Sequence, residues 1–588
     1  MCGIVAQKNS SQRINKAIFE NMVDTLQHRG PDGRGADYLC NRTVALGHRR
    51  LAIIDLSEKG DQPLYNEGGS ICISFNGEIY NFKSLRYQLS DRGHTFVSNT
   101  DTEVMIHGYE EWGFNFLEKV RGIFAFIIYD KERDLFFFAR DHFGVKPLYY
   151  AIYEKNIIIA SEIKAILKSG MPLRKIDDNA LAAFFLFGYI PAPLSIWQPV
   201  RKLLPGHYAT FENGLLTTHR YFKIVRHDQQ VDPGVLVENT RRTLLESVRL
   251  QNYADVEVGL FLSGGLDSSA LAYAESVLKK DITALSVEFK NDPRGSEVKD
   301  AKIVADACNL ELYELFVDDT AVRLLQELTY FFDEPFGDSS LIPTYLLSRA
   351  AAKKHGFKVI LSGDGGDEVF GGYNWYTNIL QQLGKNPNGN RRCLLFENYA
   401  STPYPFFLNN KFESIFDSKF LPMIKRRKNS FWGLISQKSQ LDIKEFQLLD
   451  FATYLPDDIL TKVDRASMAN SLEIRVPLLD HVLVKQVMGI CPGSYFFQNS
   501  KKFLLKKMLA NFFGPEVIEK EKRGFSLPLV NYLKTINYHE KIMDGTIRPM
   551  GIFQPHAIEN LLKQPLANHV SRIFLLYVFT IWNEMWNN

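Results

Sequence analysis

Apolar residues in the first quarter of the chain fall in short runs broken by polar turns: VALGHRRLAII (44–54), ICISFNGEIYNF (71–82), GIFAFIIYD (122–130) and DLFFFARD (134–141). Runs of this length, rich in Ile, Val and Phe, predict strands, so this part of the chain is expected to be sheet-rich. Between 191 and 235 the pattern weakens as Pro, Gly and polar residues accumulate in PAPLSIWQPV, LLPGHYATFENG and RHDQQVDPG, which predicts a domain boundary. From about 240 the texture changes to an apolar strand followed by a helical pattern, as in VEVGLFL (256–262) leading to SSALAYAESVLKK (268–280). That alternation predicts a parallel α/β sheet. The most apolar runs, ALAAFFLFGYI (180–190) and RIFLLYVFTIW (572–582), fall short of the roughly 18 residues of a membrane span and read as buried helices.

Composition narrows the class. A chain of 588 residues is expected to divide into two large domains. With 69 basic against 67 acidic residues there is no field that selects nucleic acid, and the basic stretch KRRK (425–428) reads as solvated surface. The six cysteines (Cys2, Cys40, Cys72, Cys308, Cys393 and Cys491) form no CxxC pair, and no signal-peptide core precedes the first strand. Both features point to a reducing, cytoplasmic setting without membrane attachment.

Two stretches carry candidate chemistry. Removal of Met1 would leave Cys2 with a free thiol and a free α-amine, whose ordinary pKa values of about 8.5 and about 7.7–8.0 let one act as base for the other. A nucleophile needs oxyanion donors and a clamp for its substrate. Asn76 and Gly77 in NGE offer a side-chain amide and an unobstructed N–H, Arg50 in HRRLAIID offers a guanidinium for a carboxylate, and Asp101 in SNTDTE offers a partner for an ammonium. Each has a structural reading too: a turn for Asn-Gly, a surface ion pair for Arg50, a helix cap for Asp101.

The second stretch is VGLFLSGGLDSSALAYA, a strand, a glycine-rich turn and a helix start, which aims backbone N–H groups at an anion. It lacks the lysine of a GxxxxGK[ST] loop, so the bound group reads as a departing pyrophosphate. KVILSGDGGDEVFGGY (358–373) repeats the strand and turn and gathers Asp364, Asp367 and Glu368, a carboxylate cluster that suits Mg²⁺ beside a triphosphate. TALSVEF (283–289) is the expected neighbouring strand. Glu297 adds a carboxylate, and Lys462 and Arg465 add positive charge for the pyrophosphate.

MCGIVA, HRGPDG (28–33), HRRLAIIDL, FNGEIYN and RDHFGVKPLYY together closely resemble the glutaminase domain of the class II, N-terminal-nucleophile glutamine amidotransferases over most of residues 2–220. SGGLDSS (263–269) resembles the pyrophosphate loop of ATP-pyrophosphatases, and the second half, from roughly 235 to 530, resembles the synthetase domain of the asparagine synthetase B family. The resemblance implies an α+β N-terminal-nucleophile hydrolase sandwich at 2–220, followed at 235–588 by an α/β parallel-sheet ATP-pyrophosphatase domain with many helices.

It further implies that Cys2 attacks glutamine, that Asn76 and Gly77 form the oxyanion hole, and that Arg50, Leu51, Ile53, Asn76, Glu78 and Asp101 hold glutamine. ATP would lie on Leu262, Ser263, Gly264, Gly265, Asp267, Ser268, Val287, Ser362 and Gly363. Mg²⁺ would sit on Asp267 and Asp367, with Asp364 and Lys462 as catalytic residues. Ammonia would travel inside the protein to an acyl-adenylate, giving an amide, AMP, pyrophosphate and glutamate. The implied partners are glutamine, ATP and a carboxylate acceptor, with no nucleic acid or membrane; a homodimer is left open.

Two departures bear on the acceptor. SGDG stands where aspartate-using members commonly read SGEG, so Asp364 is one methylene shorter, and FFDEPFGDSSLIP (331–343) lacks the arginine of one branch. L-aspartate is the default acceptor. DEPFGDSS with SGDGGDE and EKRGFSLPL (521–529) is also similar to amidotransferases of surface-polysaccharide pathways, for which a nucleotide-linked uronic acid is the alternative. A non-catalytic homologue would have lost Cys2, Asn76, Asp267 or the acidic loop, and all are present; a cyclising synthetase would have no need of Cys2.

Overall fold

The computed structural model describes residues 2–225, 231–289, 297–317, 324–376, 378, 381, 406–407, 410–433, 443–490, 501–520, 529–547 and 551–587. Strand Gly3–Lys8 is buried along its whole length because both of its faces are covered. Alternation sends Ile4 and Ala6 one way and Val5 the other. Ile4 and Ala6 meet Val44, Leu46, Ile127, Phe136 and Phe138 between two sheets, whereas Val5 joins Phe19, Met22 and Val23 under helices.

The first sheet is antiparallel, in the order Val200–Lys202, Tyr149–Tyr153, Asn156–Ala160, Gly3–Lys8, Val44–Arg50, Gly33–Leu39. The second runs Leu215–Arg220, His207–Glu212, Leu135–Arg140, Gly122–Asp130, Ile71–Ile79, Leu64–Tyr65, again antiparallel. Helices Lys16–Asp24 and Asp178–Phe187 cover the outer face of the first sheet, and helices Phe82–Ser90 and Glu103–Trp112 that of the second. The result is a helix–sheet–sheet–helix sandwich.

The third sheet is parallel, in the order Glu311–Val317, Thr283–Phe289, Val258–Phe261, Val359–Leu361, Glu473–Arg475. The chain enters at the middle strand, winds outward to one side, then returns to build the other. The reversal falls between Val258–Phe261 and Val359–Leu361, the two strands whose carboxyl ends lead into the glycine-rich loops. In open α/β sheets a ligand crevice opens at such a point.

The two apolar runs bury each other. Helix Asp178–Phe187 packs on helix Leu566–Trp586, with the Phe185 and Phe579 rings 5.0 Å apart. Among the described residues no helix is long and apolar enough to cross a membrane. KRRK is not wholly surface, because Lys428 is buried against Glu413 at 3.0 Å.

Charge, rather than apolar area alone, locks the sandwich to the parallel-sheet half. Arg29 is fully buried and forks onto Asp464 (2.8 and 3.0 Å) while reaching Glu162 at 2.8 Å. Arg465 meets Glu162 at 2.8 Å and Asp333 at 3.3 Å, and Lys164 meets Asp333 at 3.1 Å. Removing one member of such a group strands a charge in a dry site, at a cost of about 3–5 kcal/mol. Asp464→Ala is therefore expected to destabilise the protein by that amount in chemical denaturation and to separate the unfolding of the two halves into distinct transitions.

Candidate active sites

Cys2 lies at the head of the central strand of the first sheet, and its backbone N–H donates to Asn76 Oδ1 at 2.9 Å. The thiol is buried, and burial pushes its pKa up against the pull of the chain's terminal amine, the Leu51 backbone and Arg50. Asn76 is also buried, and its Nδ2 has no hydrogen-bond partner among the described residues. Asn76 and Gly77 lie mid-strand in Ile71–Ile79, so the dipeptide is not a turn. Gly77 is required by close approach: a Cβ there would stand 2.1 Å from the Ile123 carbonyl oxygen.

Arg50 ends strand Val44–Arg50 and is buried, not a surface ion pair. Its Nη1 donates to Ser57 O (2.7 Å) and Asp61 Oδ1 (3.0 Å), and its Nη2 to the Asp55 carbonyl, so the 54–61 loop holds the guanidinium in one pose. Leu51 and Ile53 are buried beside it in sequence. Asp101 is not a helix cap; the following helix begins after Thr102, and Asp101 Oδ2 accepts the Ile79 N–H at 2.7 Å. Burial raises the Asp101 carboxyl to about 7, opposed by that N–H. Glu78 is likewise raised, by burial and then by the charge of Asp101.

The residue absent from the sequence reading is Arg475. It ends the edge strand of the parallel sheet, yet its Nη2 lies 3.3 Å from Glu78 Oε1 in the other half of the molecule. Its Nε donates to Glu473 Oε1 at 2.5 Å and its Nη1 to the Gln251 and Tyr253 carbonyls, both at 2.7 Å. An arginine within LEIRVPLLD carries no local mark of such a reach. Arg29 was equally silent inside HRGPDG, although its Nε donates to Cys2 O at 3.1 Å.

At the second site the two glycine-rich loops face each other. Gly363 lies so close to Asp267 and Ser268 that a Cβ would sit 3.0 Å from both, and at Gly366 one would be 2.3 Å from Asp267 Oδ1. Gly264 adopts φ +68°, open to glycine at little cost, and packs on the backbone of Asp300 and Ala301. Helix Leu266–Leu278 starts from Gly265 without a side-chain cap, which leaves first-turn N–H groups directed into the crevice. Ser268 Oγ meets Ser263 at 3.1 Å, Ser362 Oγ donates to Asp364 Oδ2 at 2.6 Å, and Leu262 N–H pairs with Leu285 O. Val287 is buried in the core of the neighbouring strand, and Glu297 opens helix Glu297–Cys308.

Asp267 and Asp367 converge on one ammonium, that of Lys502, which pairs with Asp267 and stands 2.7 Å from Asp367 Oδ1. Lys462 Nζ donates to Asp338 Oδ2 (2.9 Å) and Ser340 Oγ (2.8 Å), which brings the DEPFGDSS segment to the acidic loop. Burial raises the Asp364 carboxyl, and the nearby Lys462 charge opposes it. Burial and Asp367 push Glu368 up to about 8. Arg465 does not reach this crevice. It is committed to Glu162 and Asp333 at the domain interface, where two buried carboxylates hold its guanidinium. Of EKRGFSLPL, residues 521–528 lie outside the described residues.

With this geometry in hand, residues 1–222 match the glutamine amidotransferase domain family and residues 239–586 the asparagine synthase family. The chain belongs to the asparagine synthase family. It is 32% identical to asparagine synthetase [glutamine-hydrolyzing] 1 of Bacillus subtilis, a match covering 100% of this chain and 97% of that protein. Asparagine synthetase [glutamine-hydrolyzing] 3 of the same organism is 30% identical over 89% and 87% of the two chains. Amidase chry2 of Gibberella zeae is 28% identical over 87% and 85%. As a family member the chain is a glutamine-hydrolysing ligase, built as an N-terminal-nucleophile sandwich joined to a parallel-sheet synthetase half.

The Glu473–Arg475 pair gives a direct test of the shared wall. Burial would raise the Glu473 carboxyl, but Arg475, the terminal amine and Lys146 hold it at about 2, well below its ordinary 4.5. A carboxyl depressed in this way stabilises the fold above its unfolded pKa, and that share is lost as pH falls from about 4.5 through about 2. Arg475→Met is expected to abolish this acid-limb dependence and to cost about 3–5 kcal/mol at neutral pH, read by urea denaturation across pH.

Proposed function

We propose that the chain couples glutamine hydrolysis at Cys2 to amidation of a carboxylate activated by ATP, with L-aspartate as acceptor. The carrying observation is Asn76. Its Oδ1 is fixed on the Cys2 backbone, which leaves the buried Nδ2 without a partner and able to meet an oxyanion together with the Gly77 N–H. Once Met1 is removed, the Cys2 α-amine takes the thiol proton and later delivers it to the departing ammonia. Thiolate attack on the glutamine side-chain amide forms the thioester, and water releases glutamate. Arg50 binds the α-carboxylate, Leu51 and Ile53 line the cleft, and Glu78 and Asp101 receive the α-ammonium.

ATP binds where the two loops face, its phosphates over the N–H groups of Ser263, Gly264, Gly265 and Ser268, with Leu262, Val287, Ser362 and Gly363 completing the crevice. The acceptor carboxylate attacks the α-phosphate, and Lys462 and Lys502 offset charge on the departing pyrophosphate. Ammonia then displaces AMP from the acyl-adenylate, and Asp364 is placed to manage its proton. Asp267 and Asp367 already share one cation, a donor set that suits Mg²⁺, which when bound would neutralise the triphosphate.

Aspartate is favoured because Asp338, Asp364 and Asp458 crowd a single lysine; burial and Asp338 hold Asp458 well above its usual range. These carboxyl groups can ionise to pair with the α-ammonium of an amino-acid acceptor, a group that a sugar nucleotide lacks. Cytoplasmic operation accords with Cys2, Cys40, Cys72 and Cys308 all being free thiols.

Cys2→Ala is expected to abolish glutamine-supported AMP formation while ammonia-supported formation persists, as measured by AMP release and product mass with L-aspartate. Equal loss of both would refute the two-site scheme, and AMP release with a nucleotide-linked uronic acid but not with aspartate would reassign the acceptor. Because a protonated Asp101 cannot pair with an ammonium, kcat/KM for glutamine is expected to rise as pH passes through about 7. In Asp101→Asn that ionisation should vanish from the profile.

A further inference from the structure

On the outer side of the sandwich, three segments bring two imidazoles and two carboxylates together. They are the turn before strand Ile71–Ile79, the stretch that follows helix Phe82–Ser90, and helix Glu103–Trp112. One donor atom from each of Glu67, His94 and His107 lies within 4.8 Å of the others. Glu110, one turn along the helix from His107, brings Oε2 to 2.9 Å from His107 Nδ1 and 3.9 Å from His94 Nδ1. Glu67 Oε2 stands 3.7 Å from His107 Nδ1.

These separations carry the argument. Zinc takes nitrogen and carboxylate oxygen at about 2.0–2.2 Å in a tetrahedron, so its donors stand about 3.3–3.6 Å apart. Three of the donor edges, at 2.9, 3.7 and 3.9 Å, lie about that length, and the shortest is a His107–Glu110 hydrogen bond that a bound ion would replace. We propose that Glu67, His94, His107 and Glu110 form a structural zinc site that pins these three segments together.

The atom that each residue turns away from the cluster supports the assignment. In metal sites the far atom of each ligand is held by a further partner, which fixes its orientation. His94 Nε2 faces Glu111 Oε2 at 3.4 Å, and His107 Nε2 faces Glu103 Oε1 at 3.8 Å. Glu110 Oε1 accepts from Asn66 Nδ2 at 2.6 Å, and Glu67 Oε1 accepts from both the N–H (3.2 Å) and the hydroxyl (3.1 Å) of Thr95. Glu67, His94 and Glu110 are thus braced from behind, whereas His107 Nε2 has no hydrogen-bond partner among the described residues.

Charge points the same way. Four carboxylates surround two imidazoles, Arg92 offsets Glu111 at 2.7 Å, and a divalent cation would take the place of the proton shared by His107 and Glu110. Two histidines with two carboxylates match zinc rather than Mg²⁺ or Ca²⁺, which favour all-oxygen shells. All four positions are filled by protein, the mark of a structural site, not a catalytic one. Glu67, the most exposed of the four, gives the ion its way in. The site would also steady the chain ahead of Asp101, since Glu103 already holds Val97 N–H and Ser98 N–H at 2.8 and 2.9 Å.

The test uses the full chain, stripped by chelator dialysis, re-equilibrated with zinc chloride alone, and assayed by elemental analysis and thermal melting. The expected result is one zinc per chain lost in both Glu67→Gln and His94→Gln, with zinc affinity down more than about tenfold. The zinc-induced rise in melting temperature should disappear with it. Both variants lie on the outer side and leave the helix intact, so their circular dichroism should match the parent even where His107→Gln fails to fold. Cobalt in place of zinc should show tetrahedral visible bands without thiolate charge transfer, which separates this site from Cys2 and Cys40. A parent chain that retains no zinc, variants that retain as much as the parent, or a thiolate band on the cobalt lost in the variants would overturn the assignment.

Discussion

The buried charge group formed by Arg29, Glu162, Asp464, Arg465, Asp333 and Lys164 is the constraint on which the two halves depend. These ions are almost wholly excluded from water, and such a set survives only if every charge meets an opposite one in good geometry. An apolar seam would tolerate sliding between the halves; this one does not, because a small displacement would strand an ion. Arg29 also holds the Cys2 carbonyl, so through Arg29 the strand that Cys2 heads takes its position from Asp464 of the synthetase half.

Arg475 carries the same logic to the substrate pockets. Its backbone carbonyl accepts the Ser362 N–H at 2.9 Å, at the root of the acidic glycine-rich loop, while its guanidinium faces Glu78. One residue therefore touches the loop of one site through its main chain and the pocket of the other through its side chain. Two chemistries that share an intermediate gain from a common rigid wall, since the relative pose of the sites then does not depend on a linker.

The crevice proposed for ATP shows how topology and electrostatics cooperate. The strand order reverses where the two glycine-rich loops emerge, and their close packing is possible because Gly363 and Gly366 carry no side chain to collide with Asp267 or Ser268. Into this narrow gap the fold brings Asp267, Asp367 and Lys502 from three distant segments. Lys462 is committed to Asp338 and Ser340, so the DEPFGDSS segment lies beside the acidic loop, where a carboxylate acceptor would be read.

Much of this was legible along the chain. Short apolar runs broken by turns, then strand-then-helix alternation, predict a sheet-rich part followed by a parallel sheet, because such patterns are a local property. MCGIVA, FNGEIYN, SGGLDSS and SGDGGDE are contiguous, so the family could be read from them before any contact was known. Whether Asn-Gly is a turn, Arg50 an exposed pair or Asp101 a cap is not local, and the answers came from strand register and burial. Arg475 and Lys502 have no motif of their own, Arg29 sits in HRGPDG without a sign of its partners, and the misplaced Arg465 has no signal to correct it. A buried charge is placed by the partner it must meet, and only the tertiary structure decides which of many distant carboxylates that is.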